Sequence, residues 1–432
     1  MVPRMKPGPR FFLTLFLTLS TAFTIGAATI RDITAFGAKG DGVTLNTKAI
    51  QDAINACASG DTVLIPAGTF VSGALFLKSG MTLQIDGTLK GSADIQDYPL
   101  IPCRFEGAEM DCYASLLTLG KRDRSGPYNI TNVVITGTGT IDGSGFVLGP
   151  AEKKASGNRS RGRVICMMNA QNITVRGLTV SFGPAWTVHP IYSDNLTFDG
   201  LKLISKNATN RIPNGDGIDP DSCTHVKILN CYFHTGDDSI AIKSGKNLEG
   251  YTVAKPTEHV LVSGCTVDGS NGGIVIGSEM SGSVRDVRVE NCKISHTSWE
   301  GLDIKSSAGR GGAVEDVTFT NVIESNVRVG VRITTAYKVN NDGTPAPVPP
   351  VLRNIRCENI VCTNGAGTAI EVSGLTNSVV SNVIFKSCNI VSSHGVVVDL
   401  ADGVSFDGVT IQNSTGPKFT VTNSKNITGA EN

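Results

Sequence analysis

Val226-Lys-Ile-Leu-Asn-Cys231, Val260-Leu-Val-Ser-Gly-Cys265 and Val287-Arg-Val-Glu-Asn-Cys292 are three copies of one short pattern. Val317-Thr-Phe-Thr-Asn-Val322, Ile355-Arg-Cys-Glu-Asn-Ile360 and Val383-Ile-Phe-Lys-Ser-Cys388 extend the series. Each copy alternates apolar and polar side chains, the period of a strand with one buried face. Each ends in Asn or a small residue, followed by Cys or a small apolar side chain. A second short strand lies between copies, as in Ser239-Ile-Ala-Ile-Lys243, Gly273-Ile-Val-Ile-Gly277 and Leu302-Asp-Ile-Lys305. A unit of this size cannot bury its apolar face alone, whereas stacked units share one continuous core. The pattern therefore predicts an all-β solenoid, a single right-handed parallel β-helix. A β-propeller is the alternative, but its blades need roughly 40 to 50 residues each, and most units here are shorter.

The surrounding sequence agrees. Of 432 residues 49 are Gly, with 18 % charged and 6 % aromatic, a mix that suits many tight turns between short strands. Residues 47–58 read as a helix. Ile50, Ala53, Ile54 and Cys57 share one face and Asn46 stands at the cap position; this short helix would close the open N-terminal end of the solenoid. The Pro-rich stretch Thr344–Pro350 reads as a loop, because repeats resume after it. Residues 29–432 thus form one domain. Arg4, Lys6 and Arg10 precede an apolar run, Phe11–Phe23, and small residues at Gly26-Ala27-Ala28. That is the layout of a secretory signal peptide over residues 1–28, and the run is short for a membrane anchor. Seven Asn-x-Ser/Thr sequons, at Asn129, Asn158, Asn172, Asn195, Asn207, Asn413 and Asn426, fit a secreted, extracellular glycoprotein. Of the 11 Cys, Cys103/Cys112, Cys223/Cys231 and Cys357/Cys362 are candidate disulfide pairs. No Cys-x-x-Cys appears, which argues against zinc. The 38 basic and 38 acidic side chains balance and no basic stripe calls for nucleic acid. No segment calls for a membrane, and a monomer is expected.

Chemistry concentrates in Asn214-Gly-Asp-Gly-Ile-Asp219 and Thr235-Gly-Asp-Asp-Ser239. Asp216 and Asp237 are 21 residues apart, about one coil, and successive coils of a parallel β-helix stack at roughly 4.8 Å. Asp216, Asp237 and Asp238 should then crowd together. Repulsion would raise the proton affinity of at least one of them, and glycoside hydrolysis needs such a pairing of acid and base. Asp-Gly turns of purely structural use and a calcium site are the competing readings of these carboxylates.

These two segments resemble the first two signatures, Asn-Thr-Asp and Gly-Asp-Asp, of the polygalacturonase and rhamnogalacturonase family, glycoside hydrolase family 28. Ile33-Thr-Ala-Phe-Gly-Ala-Lys-Gly-Asp-Gly42 and Ala185-Trp-Thr-Val-His-Pro190 resemble other family segments, so the likeness runs over nearly the whole mature chain. The resemblance implies single-displacement, inverting hydrolysis of a pectic polysaccharide without metal or other cofactor. It makes Asp237 the general acid and Asp216 and Asp238 the bases that hold and activate water.

Two positions depart from the family pattern. Asn271 stands where Gly-His-Gly has its His, and Asp303-Ile-Lys305 replaces Arg-Ile-Lys. An Asp in place of the uronate-reading Arg would repel galacturonate, which opens the alternative of a rhamnose-releasing or rhamnogalacturonan-cleaving hydrolase. Lys305, Asn271, Asp303, His189 and Lys243 are the expected substrate-binding residues, with Glu279 near the groove. Arg310 is a further carboxylate contact or a simple turn residue, and Trp186 is either a sugar platform or core. His225, His234, His259, His296 and His394 read as structural. The long insertions Pro99–Gly126 and Lys338–Pro350 predict a groove blocked at one end, hence exo action on galacturonan. A pectate-lyase-like eliminase and a non-catalytic binding protein are the readings from other classes.

Overall fold

The computed structural model describes residues 1–5, 8, 28–338 and 343–431; most of the expected leader lies outside them. From Ile30 to Thr428 the chain winds as a right-handed parallel β-helix with three faces. The first face runs through strands such as Asp194–Asp199, Thr224–Leu229, Thr257–Ser263 and Val284–Glu290. The second includes Lys202–Ile204, Tyr232–His234, Thr266–Ser270 and Lys293–Thr297. The third includes Val188–Ile191, Ile240–Ile242, Ile274–Gly277 and Glu300–Lys305. Each pairs in parallel with its counterpart one coil away, so that Val226 lies beside Val260 and Val260 beside Val287.

The repeated Asn-Cys ending now has a cause. Asn230, Asn291, Asn321 and Asn359 sit at the corner between the first and second faces with φ of 52–55°, a left-handed conformation Asn tolerates. The residue after each corner, Cys231, Cys292, Val322 or Ile360, turns into the core and is buried. All 11 cysteines are buried free thiols, which corrects the disulfide expectation. Cys223 and Cys231 lie at opposite ends of strand Thr224–Leu229, too far apart to bridge. Cys357 and Cys362 belong to different faces across the Asn359 corner. Cys103 and Cys112 are diagonal neighbours on adjacent strands, Cys103 paired with Met110 and Cys112 with Ile101, and both are free thiols.

The helix Thr47–Ala56 buries Ile50, Ala53 and Ile54 against the first coils, as expected. Asn46 does not cap it. Its side chain bonds the backbone of Lys39 and Thr44 instead. Sequence reading missed a second helix, Gly145–Ser156, because Gly145, Gly149 and Pro150 hide it.

One core carboxyl stands out. Glu324 is fully buried, and both its oxygens lack a hydrogen-bond partner among the described residues. Its carboxyl fills space left by Gly301. Burial pushes its proton affinity well above the usual carboxylate range. The folded protein therefore keeps the proton, while the unfolded chain loses it above about pH 4. Stability should fall as pH rises from that value toward the folded-state value. Glu324→Gln should flatten this loss in urea titrations between pH 4 and 8; an unchanged slope would contradict it.

Candidate active site

The three aspartates occupy the corner that leads from the second face to the third. Strand Tyr232–His234 ends one face and Ile240–Ile242 begins the next. Between them the Thr235 hydroxyl donates to the Asp237 carbonyl at 2.9 Å. Ile218 bridges Ile240, so Asp216 lies one coil before Asp238, and the Gly217 N–H donates to the Asp238 carbonyl at 3.0 Å. Asn271 follows one coil after Asp237. Its backbone N–H donates to the Asp237 carbonyl at 3.1 Å, and its side chain donates to Asp237 Oδ1 at 3.3 Å. Asp238 accepts from the Gly272 N–H at 3.1 Å and pairs with Lys305 Nζ at 3.0 Å.

Asp216, Asp237, Asp238 and Lys305 line a cavity of about 500 Å³ together with Trp186, Lys243, Glu279 and Tyr337. Burial, and then the charge of Asp238, raises the proton affinity of Asp237. Burial, Asp219 and Asp237 raise that of Asp216 well above its ordinary value, against the pull of Lys243. Glu279 goes the other way: burial alone would raise it, but Lys243 and Arg310 outweigh burial and hold it at about 2. Lys243 sits 3.3 Å from Glu279, 3.9 Å from Asp216 and 4.9 Å from the centre of the Trp186 ring. The cavity thus brings together two carboxyls inclined to keep a proton, Asp237 and, one coil before, Asp216, with Asp238 beside them and two buried ammonium groups. That is the equipment of general acid–base chemistry.

Three expected substrate contacts are corrected by packing. His189 has no exposed surface, makes an edge contact with Trp186 at 4.7 Å and lies 3.6 Å from Asp221. Asp303 is also fully buried. Along the third face Val275, Asp303 and Arg332 are neighbours on successive coils, and Arg332 holds Asp303 with two hydrogen bonds, at 3.0 and 2.8 Å. Lys305 adds a cation 3.6 Å away. The predicted repulsion of a uronate is therefore neutralised from the next coil. Arg310, fully buried, bonds Ser278 and Asn247 and is not part of the lining of the cavity at the aspartates. Sequence reading missed Arg332; its signal was its position one coil beyond Asp303. Lys305, Asn271 and Lys243 do stand at the aspartates, and Trp186 is buried while contributing to the cavity wall.

The insertion at Pro99–Gly126 builds an antiparallel hairpin, Leu100–Phe105 with Ala108–Tyr113. It folds down over the third face on the N-terminal side of the aspartates. Fully buried Arg104 pairs with Asp221 at 3.0 Å, and Phe105 stacks on Trp186 at 4.8 Å. At its tip Glu106 pairs with Arg159 at 2.8 Å. Both line the cavity beside Lys246. The described part of the second insertion docks on helix Asn247–Val253, where the Leu248 N–H donates to the Thr344 carbonyl at 2.9 Å.

Residues 57–405 match the model of the glycosyl hydrolases family 28. This chain belongs to that family. The family 28 match contains the three aspartates, Asn271, Asp303, Lys305 and Arg332. A probable polygalacturonase of Vitis vinifera is 33% identical over 82% of the chain and 73% of its own length. An exo-poly-alpha-D-galacturonosidase of Dickeya chrysanthemi is 28% identical over 91% of the chain and 72% of its own length. Among solved structures, the family 28 exopolygalacturonase of Yersinia enterocolitica superposes with a TM-score of 0.85 at 26% identity, covering 93% of this chain and 78% of that one. An exopolygalacturonase from Thermotoga maritima gives 0.79 at 29% identity, covering 89% and 92%. The family 28 chain is a glycoside hydrolase of the polygalacturonase type.

Proposed function

We propose that this chain is a secreted, inverting hydrolase that releases galacturonate from the end of a galacturonan chain. Asp237 gives a proton to the leaving oxygen, and Asp216 and Asp238 activate the attacking water. The observation that carries this reading is the position of the three carboxylates beside a cleft that the Leu100–Tyr113 hairpin closes on one side. A cleft closed there has room for a chain end and excludes a continuing polymer. Arg159, Lys246, Lys243 and Lys305 give it cations to meet uronate carboxylates. Relatives named as exo-acting galacturonan hydrolases support the same reading. The ion-paired state of Asp303 favours a uronate over rhamnose, and an extracellular polymer as substrate accords with the leader-like residues 1–28.

Proton NMR during digestion of polygalacturonate tests reaction and outcome together. The expected spectrum shows free galacturonate as the first product, with its anomeric configuration inverted. A ladder of oligomers would refute exo action, and a retained anomer would refute the assigned roles. Release from p-nitrophenyl rhamnoside in place of polygalacturonate would establish the rhamnose alternative.

A further inference from the structure

The column of corner residues that begins at Asp237 and Asn271 continues for two more coils. The Trp299 N–H donates to the Asn271 carbonyl at 2.9 Å, and the Arg328 N–H donates to the Trp299 carbonyl at 2.9 Å. At the spacing of stacked coils, Trp299 stands about 10 Å and Arg328 about 14 Å along the axis from the acid. Both lie on the side away from the closing hairpin. Trp299 is 47% exposed, whereas the chain's other tryptophan, Trp186, is 2% exposed and packed. The Arg328 guanidinium lies 4.1 Å from the centre of the Trp299 ring. Arg328 is itself exposed and pairs with no carboxylate among the described residues. An exposed indole backed by an unneutralised guanidinium buries little surface and so contributes little to the fold. It is, however, a surface that a sugar acid fits. The indole offers a flat apolar face to a pyranose ring, and the guanidinium offers a planar fork to its carboxylate.

We propose that Trp299 and Arg328 form a distal subsite that grips the polymer beyond the bond being cut. The pyranose repeat of such a chain is close in length to the coil rise, so a polymer laid along the cleft would reach the pair only when several units extend past Asp237. This subsite rests on the galacturonan reading above. Its signature is a dependence on chain length that the catalytic groups alone would not produce.

The test compares digalacturonate with hexagalacturonate for the wild type, Trp299→Ala and Arg328→Gln. Each variant is expected to lose about tenfold in kcat/KM on hexagalacturonate, the scale of truncating a well-placed Trp or Arg contact. The loss should lie in KM, with kcat retained. Digalacturonate is too short to reach the pair and should be turned over as by the wild type. Equal losses on both substrates, or none on either, would overturn the subsite while leaving the function intact. A wild type inactive on both galacturonates would overturn the function and the subsite together.

Discussion

Asp237→Asn is expected to lower kcat on polygalacturonate by roughly 10³-fold, the scale of removing a general acid. The amide has no acidic proton to give to a leaving oxygen. The substitution should leave the fold alone, because the corner is held through the Asp237 backbone. Its carbonyl accepts from the Thr235 hydroxyl and the Asn271 N–H, and an Asn side chain still offers an oxygen to Asn271 Nδ2. Steady-state rates with a thermal melt on the same sample decide the matter. Near-wild-type turnover in a folded variant would remove Asp237 from the acid's role. In the wild type the acid must be protonated to act, and burial raises its proton affinity. kcat should therefore decline as pH rises through that elevated value, and it should also fall at low pH, where the bases Asp216 and Asp238 take up protons.

The second large effect concerns stability. Arg332→Met is expected to destabilise the protein by about 3 kcal/mol, since it strands a fully buried carboxylate at Asp303. Lys305 at 3.6 Å compensates only in part, as it is also committed to Asp238. Glu300 loses its 2.6 Å partner too, but burial has already brought its carboxyl up to about 7 and it can take a proton instead. The double variant Asp303→Leu/Arg332→Met should recover most of the loss, because apolar side chains of similar size can replace a buried ion pair. Urea denaturation of the singles and the double checks this. Additive losses would mean that Arg332 stabilises through some contact other than Asp303.

That pair also marks where the sequence was legible and where it was not. The repeating strands, the Asn corners and the meeting of the three aspartates could all be read from residue order, because each depends on spacing within one or two regular coils. Asp303 could be placed facing outward by alternation along its own strand. Its neutralising partner, Arg332, was marked only by a position one coil on, which the varying length of the loops between coils blurs. His189 failed for a related reason. The hairpin that covers it belongs to an insertion far back in the chain, and only the folded structure brings Arg104 and Phe105 over that face. The cysteines do not pair because their positions answer to core packing: all are buried as free thiols.

The same hairpin has a consequence for traffic through the cleft. A passage closed at one end has a single doorway, shared by the incoming polymer and the outgoing sugar. On the proposed reading, the freed unit lies between the Glu106–Arg159 wall and the shortened chain, and it leaves only after that chain has backed away. Each cut then ends an encounter. The enzyme would trim many chains by one unit each, rather than travel along one chain to its end.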